Sequence, residues 1–144
     1  MQQIIIRYAE QSDWSAIQDL SAALGYSALS DLAAAANLEV ILQSEQHQVL
    51  LAELDGLVVG WLHLLVSQRI ASPFFAEIGG LAVDASQRRQ GIGRRLLEAA
   101  GLWAGSQGMT LRVRCNNERE ATLAFYRACG YSDLKTQCVL QAPA

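Results

Sequence analysis

The sequence predicts an α/β fold with a mixed, mostly antiparallel central sheet that about four helices flank. One observation is a pair of apolar segments, 48–53 and 57–67, joined by Asp55-Gly56, a dipeptide typical of two-residue hairpin turns, which need positive φ. The other is an apolar strand over Phe75–Val83, followed by an amphipathic helix over Ile92–Ser106 and a further strand. Strand, helix and strand in this order form a right-handed βαβ unit, so the sheet should contain a parallel pair.

The N-terminal part of the chain supplies one strand and two helices. Ile4 to Tyr8 is a short apolar strand, and apolar residues at helical spacing from Trp14 to Leu24 predict the first helix. A second helix is predicted over residues 29–44, with either Ser27 or Ser30 as its cap.

The C-terminal part continues the alternation of strands and helices. Residues 109–115 alternate as a fifth strand, and a last helix begins at Glu118 or its neighbours and ends at Gly130. Tyr131 to Leu140 is predicted to return as a final strand.

Length and composition fit one domain over residues 1–144. The hydrophobic fraction of 51% and the charged fraction of 17% are typical of compact proteins. No apolar run reaches the ~18 residues of a membrane span, and the N-terminus lacks a signal-peptide pattern. Three cysteines without a CxxC pair predict free thiols, so we expect a cytoplasmic protein with no membrane partner.

The charges divide unevenly along the chain. Residues 1–87 hold two basic and ten acidic residues, whereas residues 88–144 hold nine basic and four acidic residues. A basic half could hold a polyphosphate cofactor and an acidic half could attract a cationic amine, unless the division is an accident of a small domain. The net charge of −3 argues against nucleic acid as a partner.

The turn after the Phe75–Val83 strand is suited to an anion. Gly91 and Gly93 let backbone amides approach a ligand, and the following helix directs its partial positive end to the same place. The Rossmann fingerprint would need a third glycine where Leu96 stands, and the Walker ending is missing. Inside the strand, the Gly79-Gly80 pair predicts a bulge or a close backbone approach.

Two segments resemble the GNAT (GCN5-related) N-acetyltransferase superfamily. The first, in residues 77–93, is Arg-x-x-Gly-x-Gly directly after a strand of the form Glu-Ile-x-x-Leu-x-Val. The second, in residues 116–131, is Asn-x-x-Arg followed by Phe-Tyr-x-x-x-Gly-Tyr, with Thr122 where the family usually has Ala. The predicted order of elements also matches the family over essentially the whole chain, and the resemblance implies a sheet with a splayed parallel strand pair.

The resemblance implies acetyl-CoA as a co-substrate. The N–H of Leu81 would stabilise the thioester carbonyl oxygen, and the pantetheine arm would lie along the bulged strand and contact Asn116, with Asn117 as the competing choice. The cofactor-binding residues of the strand and the pyrophosphate turn would be Leu81, Ala82, Val83, Arg88, Arg89, Gln90, Gly91, Ile92, Gly93 and Arg94.

The same resemblance suggests two catalytic side chains. Glu77 would accept the proton of the amine, directly or through water, unless it serves only in a salt bridge. Tyr126 would protonate the leaving thiolate, because a phenol ordinarily keeps its proton at pH 7, unless it is a core aromatic beside Phe125. His63 is either a pocket group that could act as a base or a structural neighbour of Trp61.

The expected function is therefore transfer of an acetyl group from acetyl-CoA to a primary amine, with a small cationic molecule as the leading acceptor. We expect direct attack in a ternary complex, because neither Cys115 nor Cys129 has a histidine near it in sequence. A peptide or protein amine is the alternative acceptor, and a non-catalytic acyl-CoA-binding sensor is the alternative class. No metal site is expected, and a homodimer, frequent in the family, is possible.

Overall fold

The computed structural model describes residues 3–26 and 29–144. The chain divides into two compact units, residues 1–114 and residues 115–144. Within the described residues, the first unit holds the sheet and three α-helices, and the second holds one α-helix. The expectation of a single domain over the whole chain stays a prediction.

The first unit is built on a five-stranded mixed sheet. The strands lie in the order β1-β2-β3-β4-β5, antiparallel from β1 to β4, with β4 and β5 parallel. Their bounds are β1 Ile4–Tyr8, β2 His47–Leu54, β3 Leu57–Ser67, β4 Phe75–Val83 and β5 Leu111–Val113. Asp55 and Gly56 have φ values of 51° and 80°, which confirms the predicted hairpin turn. The mixed sheet with its parallel pair is thus confirmed.

The helices have the predicted order. They are α1 Trp14–Ala23, α2 Asp31–Leu42, α3 Ile92–Ser106 and α4 Glu120–Ala128, with short 3-10 turns at Gln11–Asp13 and Ala85–Gln87. The Ser30 hydroxyl accepts a 3.1 Å hydrogen bond from the Ala33 N–H, so Ser30 caps α2, while the alternative cap Ser27 lies outside the described residues. No helix in the described part of the chain has the length and apolar character of a membrane span.

Two layers of helices cover the sheet of the first unit. Leu51 and Trp61 lie opposite each other in register and share the face on which α1 and α2 pack. Helix α3 packs on the other face, where Leu62 and Leu96 are fully buried. Each fully buried leucine contributes roughly 1.5–3 kcal/mol, so these layers hold the strands in a fixed register.

The predicted final strand over Tyr131–Leu140 is wrong. The structure assigns no strand after α4, and Leu134, Val139 and Leu140 are exposed. A strand needs a ladder partner, and the three consecutive polar residues 135–137 break the alternation that would bury one face.

Candidate active site

A bulge in β4 lies at the centre of the candidate site. The register between β3 and β4 shifts so that His63 lies opposite Gly80 and Leu64 opposite Ile78, which leaves Gly79 as the extra residue. A Cβ on Gly79 would lie 2.8 Å from the Leu65 side chain, and a Cβ on Gly80 would lie 2.7 Å from the Trp61 ring. Consecutive residues of a regular strand face opposite sides, so two glycines facing the same side confirm the predicted bulge and close approach.

The strand edge beyond the bulge is open toward β5. Among the described residues of the first unit, β4 pairs with β5 only from Ala76 to Ile78. The Asp84 N–H donates to the Val59 carbonyl over 2.8 Å, so the alternation of an antiparallel ladder directs the N–H and C=O groups of Leu81 and Val83 away from β3. Leu81 and Val83 therefore present backbone groups to the side away from β3, as a pantetheine arm that adds a strand would require.

Tyr26 contacts this edge from the loop after α1. Its hydroxyl donates a 3.2 Å hydrogen bond to the Leu81 carbonyl, and its ring lies 5.7 Å from the ring of Trp61. The Trp61 indole N–H in turn donates to the Ser21 hydroxyl over 3.0 Å. These contacts connect helix α1 to the bulge. The sequence carries no signal for them, because Tyr26 lies in a loop and belongs to no motif.

Glu77 lies on the same sheet face as His63 and Trp61. It is opposite Leu65 in register, and its Oε1 accepts a hydrogen bond from the Arg114 guanidinium in an ion pair. The side chain is only 15% exposed. Glu77 thus has the salt bridge that was its alternative role, while it also lies two residues from the bulge.

The segment after β4 forms a structured turn. The Asp84 carboxylate accepts hydrogen bonds from the backbone N–H and the hydroxyl of Ser86, and the backbone bond is the main cause that lowers the pKa of Asp84. Arg89 and Gly91 both have positive φ, 67° and 76°. The side chains of Arg88 and Arg89 are exposed, where a ligand can reach them.

Helix α3 begins directly after this turn. Its N-cap is Gly91, whose carbonyl accepts a hydrogen bond from the Arg95 N–H over 3.0 Å. The Arg95 N–H is thus the first to bond within the helix, and the backbone N–H groups before it are directed out of the helix start. Ile92 is buried and acts as a packing anchor. A Cβ on Gly60 would lie 3.2 Å from Ile92, so this glycine lets the start of α3 approach the sheet. The helix start is thereby held beside the end of β4.

The second unit carries the other two predicted residues. Tyr126 is buried and makes edge-on ring contacts with Phe125 and Tyr131, at centroid distances of 5.3 Å and 5.4 Å. Asn116 is exposed, and its side-chain oxygen accepts from the Glu118 N–H over 2.9 Å, in the turn before α4. The pKa of Tyr131 is raised, chiefly by burial. Asn116 therefore has a structural role in its turn, and its remaining amide hydrogens are the groups it could offer a ligand.

The profile of the acetyltransferase (GNAT) domain family matches residues 45–133. This match spans more than half of the chain, so the chain belongs to the GNAT acetyltransferase family. A sequence relative is an uncharacterised protein of Mycobacterium leprae, 42% identical over 59 residues that make up 41% of this chain. The matched region spans 16% of the length of that relative.

Solved structures share the fold over nearly the whole chain. The aminoglycoside N-acetyltransferase AAC(6')-Iy in complex with CoA has a TM-score of 0.88 at 19% identity, with 100% of this chain and 97% of that chain covered. The aminoglycoside 6'-N-acetyltransferase AAC(6')-IG of Acinetobacter haemolyticus has a TM-score of 0.84 at 15% identity, with 97% and 99% covered. A GNAT family acetyltransferase of Staphylococcus aureus has a TM-score of 0.79 at 17% identity, with 96% and 98% covered. The GNAT fold predicted from the sequence is confirmed.

Proposed function

We propose that this protein is an acetyl-CoA-dependent N-acetyltransferase whose acceptor is a primary amine of a small cationic molecule. The observation that carries the proposal is the open backbone edge at Leu81 and Val83, beside a bulge and directly before a glycine turn that begins a helix. An extended thioester arm that ends in a pyrophosphate matches both parts of this surface, because the arm can pair with strand backbone and the pyrophosphate with helix amides.

The donor is held mainly by backbone groups. The N–H of Leu81 is proposed to stabilise the negative charge that develops on the thioester oxygen. The turn from Arg88 to Arg94 holds the pyrophosphate with its amides, and exposed arginine side chains add charge-assisted bonds. Asn116 adds a contact to the pantetheine.

The acceptor side favours a cation. Glu77 carries a carboxylate on the sheet face beside the bulge, and the N-terminal part of the chain is acidic. Aminoglycosides, named in two of the structural relatives, are amines of this kind. The amine nitrogen attacks the thioester carbon, the C–N bond forms as the C–S bond breaks, and CoA leaves as a thiolate that the Tyr126 hydroxyl protonates. Glu77 draws the ammonium group and starts its deprotonation, directly or through water.

The test is acetyl-CoA consumption with free-thiol release across polyamines, aminoglycosides, amino acids and short peptides. The proposal expects turnover with cationic small molecules, and Glu77→Gln and Tyr126→Phe should each lower kcat about 100-fold or more while CoA affinity is kept. Turnover with peptides alone would show that the acceptor is a peptide amine and not a small cationic molecule. CoA binding without turnover on any acceptor would instead support an acyl-CoA sensor. A homodimer and a cytoplasmic location stay predictions.

A further inference from the structure

The backbone of Tyr26 is fixed by the way helix α1 ends. Gly25 has a φ of 85°, and its N–H donates to the Ala22 carbonyl over 3.2 Å. The Tyr26 N–H donates to the Ser21 carbonyl over 3.1 Å. These two bonds form a Schellman motif, in which a left-handed glycine closes the helix. Tyr26 therefore has a defined position after α1, so that movement at this residue is chiefly a rotation of its side chain.

The side chain of Tyr26 lies at the open edge of β4. Its hydroxyl donates over 3.2 Å to the Leu81 carbonyl, which the ladder with β3 directs away from β3. Neighbouring strands lie about 4.8 Å apart, so this hydroxyl lies within the space that an added strand would occupy. Tyr26 is 44% exposed, so little packing is lost when its side chain turns away.

The Tyr26 side chain cannot move over the bulge instead. Gly79 is packed so closely against His63 that an added Cβ would lie 3.1 Å from its ring. A nitrogen of His63 in turn lies 2.8 Å from a nitrogen of His47 on β2. The Trp61 ring, 5.7 Å from that of Tyr26, covers the neighbouring glycine. A phenol that leaves the edge of β4 must therefore turn outward, toward solvent.

We propose that Tyr26 is a gate on the donor site, and that the pantetheine arm of acetyl-CoA opens it by displacing the phenol from the Leu81 carbonyl. The inference rests on the proposed function, which takes the open edge of β4 as the place of the arm. An arm that pairs with the strand uses this carbonyl as the acceptor for an amide N–H. Until the donor binds, the phenol gives the same carbonyl a partner. The apparent affinity for the donor is then lowered by the fraction of molecules whose gate is closed.

Calorimetry of CoA binding tests the gate. Tyr26→Phe keeps the ring and removes only the hydroxyl, so it should bind CoA roughly 2- to 10-fold more tightly, the factor that one net hydrogen bond is worth. ADP has a pyrophosphate but no pantetheine arm, and it should bind both proteins equally. Tyr8→Phe is the matched control, because Tyr8 is an exposed tyrosine on β1, which β2 and β3 separate from β4. It should bind CoA as wild type does.

The outcomes separate the gate from the proposed function. If wild type binds CoA and Tyr26→Phe binds it with the same or lower affinity, the gate is overturned alone, because the phenol then does not compete with the arm. An equal gain for ADP and CoA would also overturn it, since the effect would not depend on the pantetheine. If wild type binds no CoA, the proposed donor site fails and the gate fails with it.

Fluorine NMR of protein labelled with fluorotyrosine observes the displacement itself. The resonance of Tyr26, assigned as the one that is missing from Tyr26→Phe, should shift when CoA is added and stay in place when ADP is added. The resonance of Tyr8 should respond to neither. A Tyr26 resonance that CoA leaves unchanged would overturn the gate, even where the variant binds CoA more tightly.

Discussion

Gly80→Ala should disturb both stability and turnover, because the added methyl group has no room. The new Cβ would lie 2.7 Å from two atoms of the Trp61 ring. Carbon atoms in contact are normally about 3.5–4.0 Å apart, so the ring must retreat by roughly 1 Å. Overpacking of this kind costs about 1–3 kcal/mol of the free energy of unfolding.

The movement of Trp61 extends the effect to the site. Its indole N–H donates over 3.0 Å to Ser21, and its ring packs on Tyr26, which binds the Leu81 carbonyl. A shift of 1 Å breaks or weakens each of these contacts. Misplacement of a catalytic group by about 1 Å costs on the order of 100-fold in rate, so kcat should fall by that amount.

Urea unfolding and steady-state kinetics measure the two effects. The control is Gly101→Ala, in the middle of α3, where an added Cβ has nothing within 4 Å. That change should stabilise the protein by about 0.5–1 kcal/mol, because alanine favours a helix more than glycine does, and should leave kcat unchanged. If Gly80→Ala unfolds at the wild-type urea concentration and keeps wild-type kcat, the bulge does not hold the site as argued.

Two further predictions concern stability and cofactor binding. Asp13 accepts two hydrogen bonds from Arg7 and one from the Glu10 N–H, so Asp13→Asn should cost about 1.5–3 kcal/mol at pH 7 in urea unfolding. The hydrogen bond from Arg7 is the main cause that lowers the pKa of Asp13 in the folded protein. This stabilisation is therefore present above the unfolded-state pKa near 4 and is lost as the pH falls through the lower folded-state pKa, so the gap between variant and wild type should narrow below pH 4. Changing Arg88 and Arg89 to Ala should weaken CoA binding and reduce its salt dependence in calorimetry, while turnover of a short acetyl thioester without phosphates stays unchanged. An equal loss of turnover with acetyl-CoA and with the short thioester would contradict the proposal that these arginines bind the phosphates.

The elements with strong local signals could be predicted from the sequence. Strand β3 and helix α3 have the predicted bounds, since an apolar run directly after a hairpin turn and a long amphipathic period each favour one structure. The absence of a strand in residues 131–140 could not be predicted from the sequence. The apolar residues of this segment resemble those of a strand, but a strand forms only where another strand can pair with it. Strand β5 was predicted over seven residues and has three, since pairing with β4 ends where the bulge begins.

The candidate site likewise contains features that could be predicted from the sequence and contacts that could not. The Gly79-Gly80 bulge and the Gly91 turn could be predicted, because each depends on glycine itself. The bulge needs residues without a side chain, and the turn needs a residue that readily adopts positive φ. The His47–His63 and Tyr26–Leu81 contacts join residues 16 and 55 positions apart. Such pairs depend on strand register and loop path, and neither can be calculated from single residues. His63 could be suspected only because it shares a face with Trp61.

One bulge can serve two needs that would otherwise conflict. A strand that pairs fully on both sides has no backbone groups left for a ligand, whereas an unpaired strand has no fixed position. In β4, pairing with β3 continues on one side through Val83, and pairing with β5 ends at Ile78 on the other. The strand is therefore held rigidly while the N–H of Leu81 stays directed to the open side. Because Trp61 and His63 fill the space above the two glycines, the same extra residue also sets the position of the side chains that would face the acceptor.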